Sequence, residues 1–382
     1  MMRKWLALLL VVTAVLAVGG VTRRLLRYRP LGSRLPGPAK LEPRPTWGSA
    51  LRNLSEPTVP AEQQGVMAGY VIEGATTPPL TGTTNILLAG LDTRLSEAEL
   101  ARTEPVAQAK TKPASRPSGH EGRTDALVVV VLDERSRHVG LVSIPRDLVV
   151  AIPGGEPNRI NAVYNTGLHE GGPERGVALL KQTVHETLGL PIANVVLVDH
   201  AGFEALVDRL DGVPVAVRCP IRDRFIDARG PGGRLELKLD AGMHFLDGKT
   251  ALMYARSRHG RGVFDRAVRQ QAVLLGVRDR LLELGPARLA QTLPLVQRAA
   301  YSDLSTLDLL RLARRMLTIK REQIHGLVIG GREAEPTVLP DGRWVMFPKR
   351  DGLRDSLSRL FEAKAPGHRA TECPDMNAAL QR

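Results

Sequence analysis

Residues 126–132 read ALVVVVL, with no polar side chain among them. A short β-branched run of this kind predicts a strand, and the missing polar alternation predicts one covered on both faces. Downstream, Asp133–Arg137 reads as a turn and His138–Ile144 (HVGLVSI) as the partner strand of a hairpin. Upstream, Asn85–Leu91 (NILLAGL) supplies another short apolar strand. Beyond the hairpin, Val177, Leu180, Val184 and Leu188 recur at helical spacing over Pro173–Leu188, and Asn194–Val198 (NVVLV) is again a strand. Phe203, Leu206, Val207 and Leu210 fall at i, i+3, i+4 and i+7, the stripe of an amphipathic helix. Further helices are predicted over Asp265–Leu284 and Asp303–Leu317. Strands alternating with helices up to Ile329 give an α/β class: a single α-β-α layered domain around a central mixed sheet.

The chain of 382 residues carries a formal charge of +13, which invites thoughts of nucleic acid. Residues 1–52, however, hold ten basic side chains against Glu42 alone, which accounts for +9 and leaves +4 for the other 330 residues. With only Phe 6, Trp 3 and Tyr 5, stacking platforms for single strands are also scarce, so no nucleic-acid partner is expected. Cys219 and Cys373 cannot build a disulfide framework or a cysteine metal site. They are sufficient for one bridge, but are expected to be incidental.

Trp5–Val21 (WLALLLVVTAVLAVGGV) is uncharged and follows Arg3 and Lys4. Its seventeen residues reach the lower limit for crossing a hydrocarbon core about 30 Å thick. The expectation is a transmembrane signal anchor within residues 1–28, with a cleaved signal peptide as the competing reading. Arg23, Arg24, Arg27 and Arg29 outnumber Arg3 and Lys4, so charge balance alone would place the C-terminal side in the cytoplasm. A Pro/Gly-rich spacer is expected over 29–80 and a catalytic domain over 81–362. Within that domain 95–122 reads as a long surface loop, and 363–382 as a tail.

Asp92 ends the first strand and Asp125 opens the ALVVVVL strand, and strand ends facing a crevice are where α/β folds place ligands. If the strands are neighbours, the pair suits a hard cation such as Mg²⁺; the competing reading is that each caps a turn. The stretch YARSR puts Arg256 and Arg258 on one side if extended, and DRAVRQQ puts Arg266, Arg269 and Gln270 on one helix face. Arginines in the first turns of a helix oppose its dipole by about 0.3–1 kcal/mol each, which an anion docking among them relieves. A solvated basic face is the alternative, but only Asp265 and Asp279 are nearby acids. Arg146 follows the third strand in SIPRD, and Arg94 and Arg123 flank the carboxylates. Carboxylates with several arginines are the equipment of phosphoryl transfer, where positioning and charge neutralisation do most of the catalysis. No Walker loop, GxGxxG after a strand, HExxH, CxxC pair or GxSxG elbow occurs.

In order, TNILLAGLDTR, GRTDALVVVVLD, GLVSIPRDLVV, NRINAVYNTG with GGPERGVALLKQTVHETLGLPI, VDHAGFEALVDRLDGV, and LDGKTALMYARSRH with DRAVRQQAVL resemble the LytR-CpsA-Psr family of cell-wall glycopolymer ligases. The resemblance runs from about Thr84 to Ile329, and LPDGRWVMFPKRDGLRDSL suits the family's C-terminal end. It implies a single-pass cell-membrane enzyme with an extracytoplasmic catalytic domain. Such an enzyme moves an anionic glycopolymer from a polyprenyl pyrophosphate to peptidoglycan. It also implies that Asp92 and Asp125 hold Mg²⁺, with Mn²⁺ as a substitute, and that Arg146, Arg256, Arg258, Arg266 and Gln270 hold the pyrophosphate with Arg94 and Arg123 nearby. Arg146, Arg258, Arg266 and Asp92 are the residues expected to carry catalysis. A polyprenyl tunnel between sheet and helices is implied too, with Val273 and Leu274 as lining candidates, core packing being the stronger reading for both. Val263 stands where family members often carry an acid, and Asp147 is a weak candidate for the base, a turn cap being the stronger reading.

Overall fold

The ALVVVVL run divides its side chains between two cores. Leu127, Val129 and Val131 enter one, while Val128, Val130 and Leu132 face the other. Val129 and Val131 are fully buried, and each such side chain contributes about 1.5–3 kcal/mol. The computed structural model describes residues 80–92, 123–226, 233–258, 263–316 and 318–362, together with Ile72 and Gly74; the side chains of 263, 285–299, 306 and 310 are outside that description. The expected anchor, the 95–122 loop and the tail therefore lie outside the described residues, as does the spacer apart from Ile72, Gly74 and Leu80. Among those described, no helix is long and apolar enough to cross a membrane.

The run is the middle of β2 (Arg123–Asp133), which lies between β1 (Thr83–Asp92) and β3 (Val139–Ile144), antiparallel to both. The hairpin expected through Asp133–Arg137 is present, held by Asp133 N donating to His138 O at 3.2 Å. Beyond β1 comes β6 (Ile192–Asp199), parallel to it, and then the short antiparallel β11 (Ala300–Ser302). On the other side β12 (Ile324–Val328) runs parallel to β3. The resulting six-stranded order β11-β6-β1-β2-β3-β12 is the mixed sheet the sequence predicts.

One face packs against α1 (Val163–Leu188) and the C-terminal α6 (Arg350–Ser358), through Val177, Leu180, Val184, Leu188, Leu353 and Leu357. α1 begins at Val163, earlier than the Pro173 the periodicity suggests, and so takes in Gly167; it breaks only at Gly171–Gly172. Gly172 has φ 83°, a conformation that favours glycine, and Pro173 restarts the helix where its missing N–H costs nothing. The two segments fold back closely. A Cβ on Gly176 would stand 2.8 Å from Tyr164 O and 2.9 Å from its ring. Gly176→Ala is therefore expected to lose about 1–3 kcal/mol of stability, read as a lower urea midpoint.

The opposite face packs against α4 (Val263–Ala299) and α5 (Thr306–Met316). That layer is closed less tightly: Leu88, Val130, Val196, Leu274, Leu275 and Leu312 are only partly buried. A further cluster joins α2 (His200–Arg209), α3 (Gly248–Arg256) and α4 to the ribbon of β7 (Val213–Val217) with β10 (Gly242–Leu246). Val273 packs in this cluster, so of the two tunnel candidates only Leu274 faces the sheet. A second ribbon pairs β8 (Ile221–Ile226) with β9 (Arg234–Leu239). Cys219, between β7 and β8, is disulfide-bonded and so not incidental; the chain's other cysteine, Cys373, lies outside the described residues.

Candidate active site

Asp92 is the last residue of β1 and pairs across the ladder with Arg123, the first of β2. The register slips at that point, Gly90 facing Ala126 and Leu91 facing Thr124, which leaves Asp125 as the extra residue of a β-bulge. A bulge re-aims the side chain it carries. Both carboxylates thereby line one polar cavity of about 170 Å³, together with Arg123, Arg146, Arg159, Asn161 and Arg258.

Arg146 is presented by the turn that follows β3, where Leu148 N donates to Pro145 O at 3.0 Å. Its NH1 donates to Asp125 Oδ2 at 2.9 Å and its Nε to Asp147 Oδ2 at 3.3 Å. Asp147 in turn accepts from Arg159 NH1 at 3.2 Å, so it is a bridge between two guanidinium groups, with its side chain 8% exposed. Neither a free base nor a turn cap describes it. Arg159 reaches the cavity because β4 (Val149–Val150) and β5 (Asn158–Arg159) form a tiny ribbon beside the turn. Asn161 follows, tied by its N–H to Arg146 O at 3.3 Å.

The arginines expected from α4 separate. Arg266 is buried, and the charges that act on it are those of Arg146, Asp125, Arg258 and Asp147, which places it against the cavity. Arg269, also buried, donates to Ser257 O at 2.5 Å, and Gln270 donates to Ala255 O at 3.4 Å. Both support backbone rather than line the cavity, because one further turn of the helix carries them over the end of α3. Arg256 stands over the Phe225 ring, 5.9 Å from its centroid. Arg94 lies outside the described residues. A residue the sequence reading passed over, His200, opens α2 beside Asp92, with Nδ1 3.9 Å from Asp92 Oδ1. The parallel pairing of Leu91 with Asp199 brings it there.

Electrostatically the cavity is short of negative charge. Burial pushes Arg266 down to about 10, with Arg146 and Arg258 adding to the effect and Asp125 and Asp147 opposing it. Burial also pulls on Arg146, but Asp125 and Asp147 outweigh it and hold that guanidinium above its ordinary value. His200 is lowered by burial and by Arg256, against Asp92, Asp125 and Asp199. An anion entering here relieves repulsion among cations that burial has already disfavoured.

The donor set also suits a small hard cation. Asp92 Oδ1 is buried without a hydrogen-bond partner among the described residues, an orphan that a native protein rarely keeps without a use. Among the described residues no three His, Cys, Asp or Glu side chains gather at one point. Mg²⁺ is commonly held by one or two carboxylates plus phosphate oxygens and water, so Asp92 and Asp125 fit it.

The chain has relatives. Regulatory protein MsrR of Staphylococcus aureus (strain COL) is 33% identical over 172 residues, covering 44% of this chain and 47% of that protein. The polyisoprenyl-teichoic acid–peptidoglycan teichoic acid transferase TagT of Bacillus subtilis is 32% identical over 160 residues, 42% of this chain and 46% of that one. The alignments thus span about half the length of these curated relatives. Among solved structures, Bacillus subtilis TagV superposes with a TM-score of 0.56 at 24% identity, covering 74% of this chain and 98% of that one. TagT bound to LI-WTA gives 0.53 at 22%, covering 78% and 97%. At such identities the structures speak for the fold, whose central mixed sheet they share. Residues 62–361 match the profile of the LytR_cpsA_psr family, and the chain belongs to that family.

Proposed function

We propose that the protein transfers an anionic glycopolymer from a polyprenyl pyrophosphate carrier to peptidoglycan through a phosphodiester, releasing polyprenyl phosphate. The observation that carries this reading is the convergence of Arg123, Arg146, Arg159 and Arg258 on Asp92 and Asp125 in one cavity. Relatives named as teichoic acid transferases, TagT and TagV of Bacillus subtilis, support it.

The guanidinium groups of Arg146 and Arg258 receive the diphosphate, with Arg266 behind them, and their planar forks suit its oxygens. Asp92 and Asp125 would hold Mg²⁺, or Mn²⁺ in its place; the bound ion would neutralise diphosphate oxygens as a Lewis acid. A hydroxyl of peptidoglycan attacks the phosphorus that carries the glycopolymer. One P–O bond forms, the bridging P–O bond breaks, the hydroxyl loses its proton, and the electron pair leaves on polyprenyl phosphate. Preorganised cations around that leaving group supply most of the acceleration. The loosely closed layer of Leu88, Val130, Leu274 and Leu312 would receive the prenyl chain. Trp5–Val21 would anchor the protein in the cell membrane by a single pass, with the catalytic domain on the extracytoplasmic side.

The test is acceptor dependence. With a synthetic polyprenyl-diphosphate-linked glycopolymer, release of polyprenyl phosphate should require peptidoglycan fragments and yield a phosphodiester product. Equal release without them would make the protein a polyprenyl-pyrophosphate pyrophosphatase. The relative named a regulatory protein favours a second reading, a membrane-bound transcriptional attenuator. A C-terminal topology reporter that is active in the cytoplasm would favour the attenuator over both enzymes.

A further inference from the structure

We propose that Asp223 is a positioning residue that aims Arg258 into the cavity by gripping the main chain on which it is mounted. The proposal rests on the reading that Arg258 binds the diphosphate, and it adds a residue remote from the strand ends that carry the carboxylates.

α3 ends at Arg256, and Ser257 leaves it with φ −52° and ψ 136°, so Arg258 is borne by extended chain and not by a helix. A long side chain on such a segment has many rotamers and a movable base. Three groups from two other elements hold that base. Asp223, on β8, accepts twice at Oδ2: from Ser257 Oγ at 2.7 Å and from Arg258 N at 3.1 Å. Arg269, on α4, donates to Ser257 O at 2.5 Å, and Gln270 donates to Ala255 O at 3.4 Å. Ser257 is completely buried, so its bonds to Asp223 and Arg269 are made away from solvent.

The carboxylate is placed to grip without competing. Asp125 holds Arg146 by its guanidinium, at 2.9 Å. Asp223 instead takes the backbone amide of Arg258, while the Arg258 side chain lines the cavity. The negative charge meanwhile acts on Arg269, alongside Tyr254 and Asp265 and against the burial that lowers that guanidinium. A residue with these contacts improves binding by preorganisation: it fixes the direction of a phosphate ligand while leaving the ligand's oxygens to it.

The experiment uses the full chain in detergent, with geranylgeranyl diphosphate as the probe. Asp223→Ala should weaken its binding about tenfold, the usual scale for losing bonds to a charged acceptor. Asp223→Asn, whose amide oxygen can accept the same two donors and which gives up only the exposed bond from Arg224 N, should stay within about threefold of wild type, which a role through charge alone would not allow. Arg258→Ala should lose about tenfold or more, and Asp223→Ala combined with Arg258→Ala should bind no more weakly than Arg258→Ala alone. Where Asp223→Ala fails to fold, Ser257→Ala removes one of the two donors; it should cost about threefold, and nothing once Arg258 is gone. Additive losses, or an Asn variant as weak as the Ala variant, overturn the proposal while leaving the site reading in place. An Arg258→Ala protein that binds the diphosphate as wild type does overturns both, and that result is recognised without any Asp223 variant.

Discussion

Arg146→Ala is expected to lower transfer about 100-fold or more while the chain still folds, the scale seen when one preorganised donor to a developing oxyanion is removed. Arg146 bonds Asp125 and Asp147 at once and so fixes the spacing between the bulge in β2 and the turn after β3. Its loss leaves Asp147 still bridged to Arg159 and Asp125 at the cavity wall, so the folding cost should be about 1–3 kcal/mol. Domains of ordinary stability, about 5–15 kcal/mol, survive that. Arg146→Lys keeps the charge but loses the fork that reaches two acceptors, and should remain about tenfold impaired. A purified ligation assay alongside a urea melt separates the two effects. Near-normal turnover by the alanine protein would remove Arg146 from the chemistry.

Asp92→Asn is expected to abolish transfer without weakening the fold. Its buried Oδ1 has no hydrogen-bond partner among the described residues, where only the His200 ring stands near it at 3.9 Å, so removing the charge removes a desolvated group that is poorly compensated. The unfolding midpoint should therefore match or exceed that of wild type, the signature of a residue kept for function at some expense of stability. Chelation of divalent cations should reproduce the loss of activity in the wild-type protein, with Mg²⁺ or Mn²⁺ restoring it. Wild-type turnover by Asp92→Ala would end the metal role.

The sheet and much of the site were legible because their signals are local. An unbroken β-branched run declares a strand buried on both faces, and alternate members of Leu127–Leu132 do enter different cores. Asp92, Asp125 and Arg146 could be read because strand termini are where this fold class exposes side chains. Arg159 could not, since it arrives on a ribbon whose strands are two residues long, and Asn161 follows it in a three-residue 3₁₀ turn; both are too short for any periodicity. His200 depends on the parallel register of β6 with β1, a long-range fact. The separation of Arg266 from Arg269 and Gln270 marks the limit of helical spacing as evidence. Residues three and four apart share a face, but here that face spans both the cavity and the back of Ser257. The β8–β9 ribbon is a different kind of omission. Leu235, Leu237 and Leu239 alternate cleanly with exposed neighbours, so its signal was present in the sequence and simply unused.

The last hydrogen-bonded pair of β1 and β2 joins Asp92 to Arg123, so the two ends of whatever lies between them are fixed side by side at the mouth of the cavity. An insertion closed at such a point is modular. Each doubling of its length adds only about 0.6 kcal/mol of closure entropy, and the carboxylates themselves are carried by β1 and β2. Changes in the length of chain between Asp92 and Arg123 therefore cost the sheet beneath little. Descendants of one ancestral chain are free to diverge in the length of that insertion while keeping a common sheet below it.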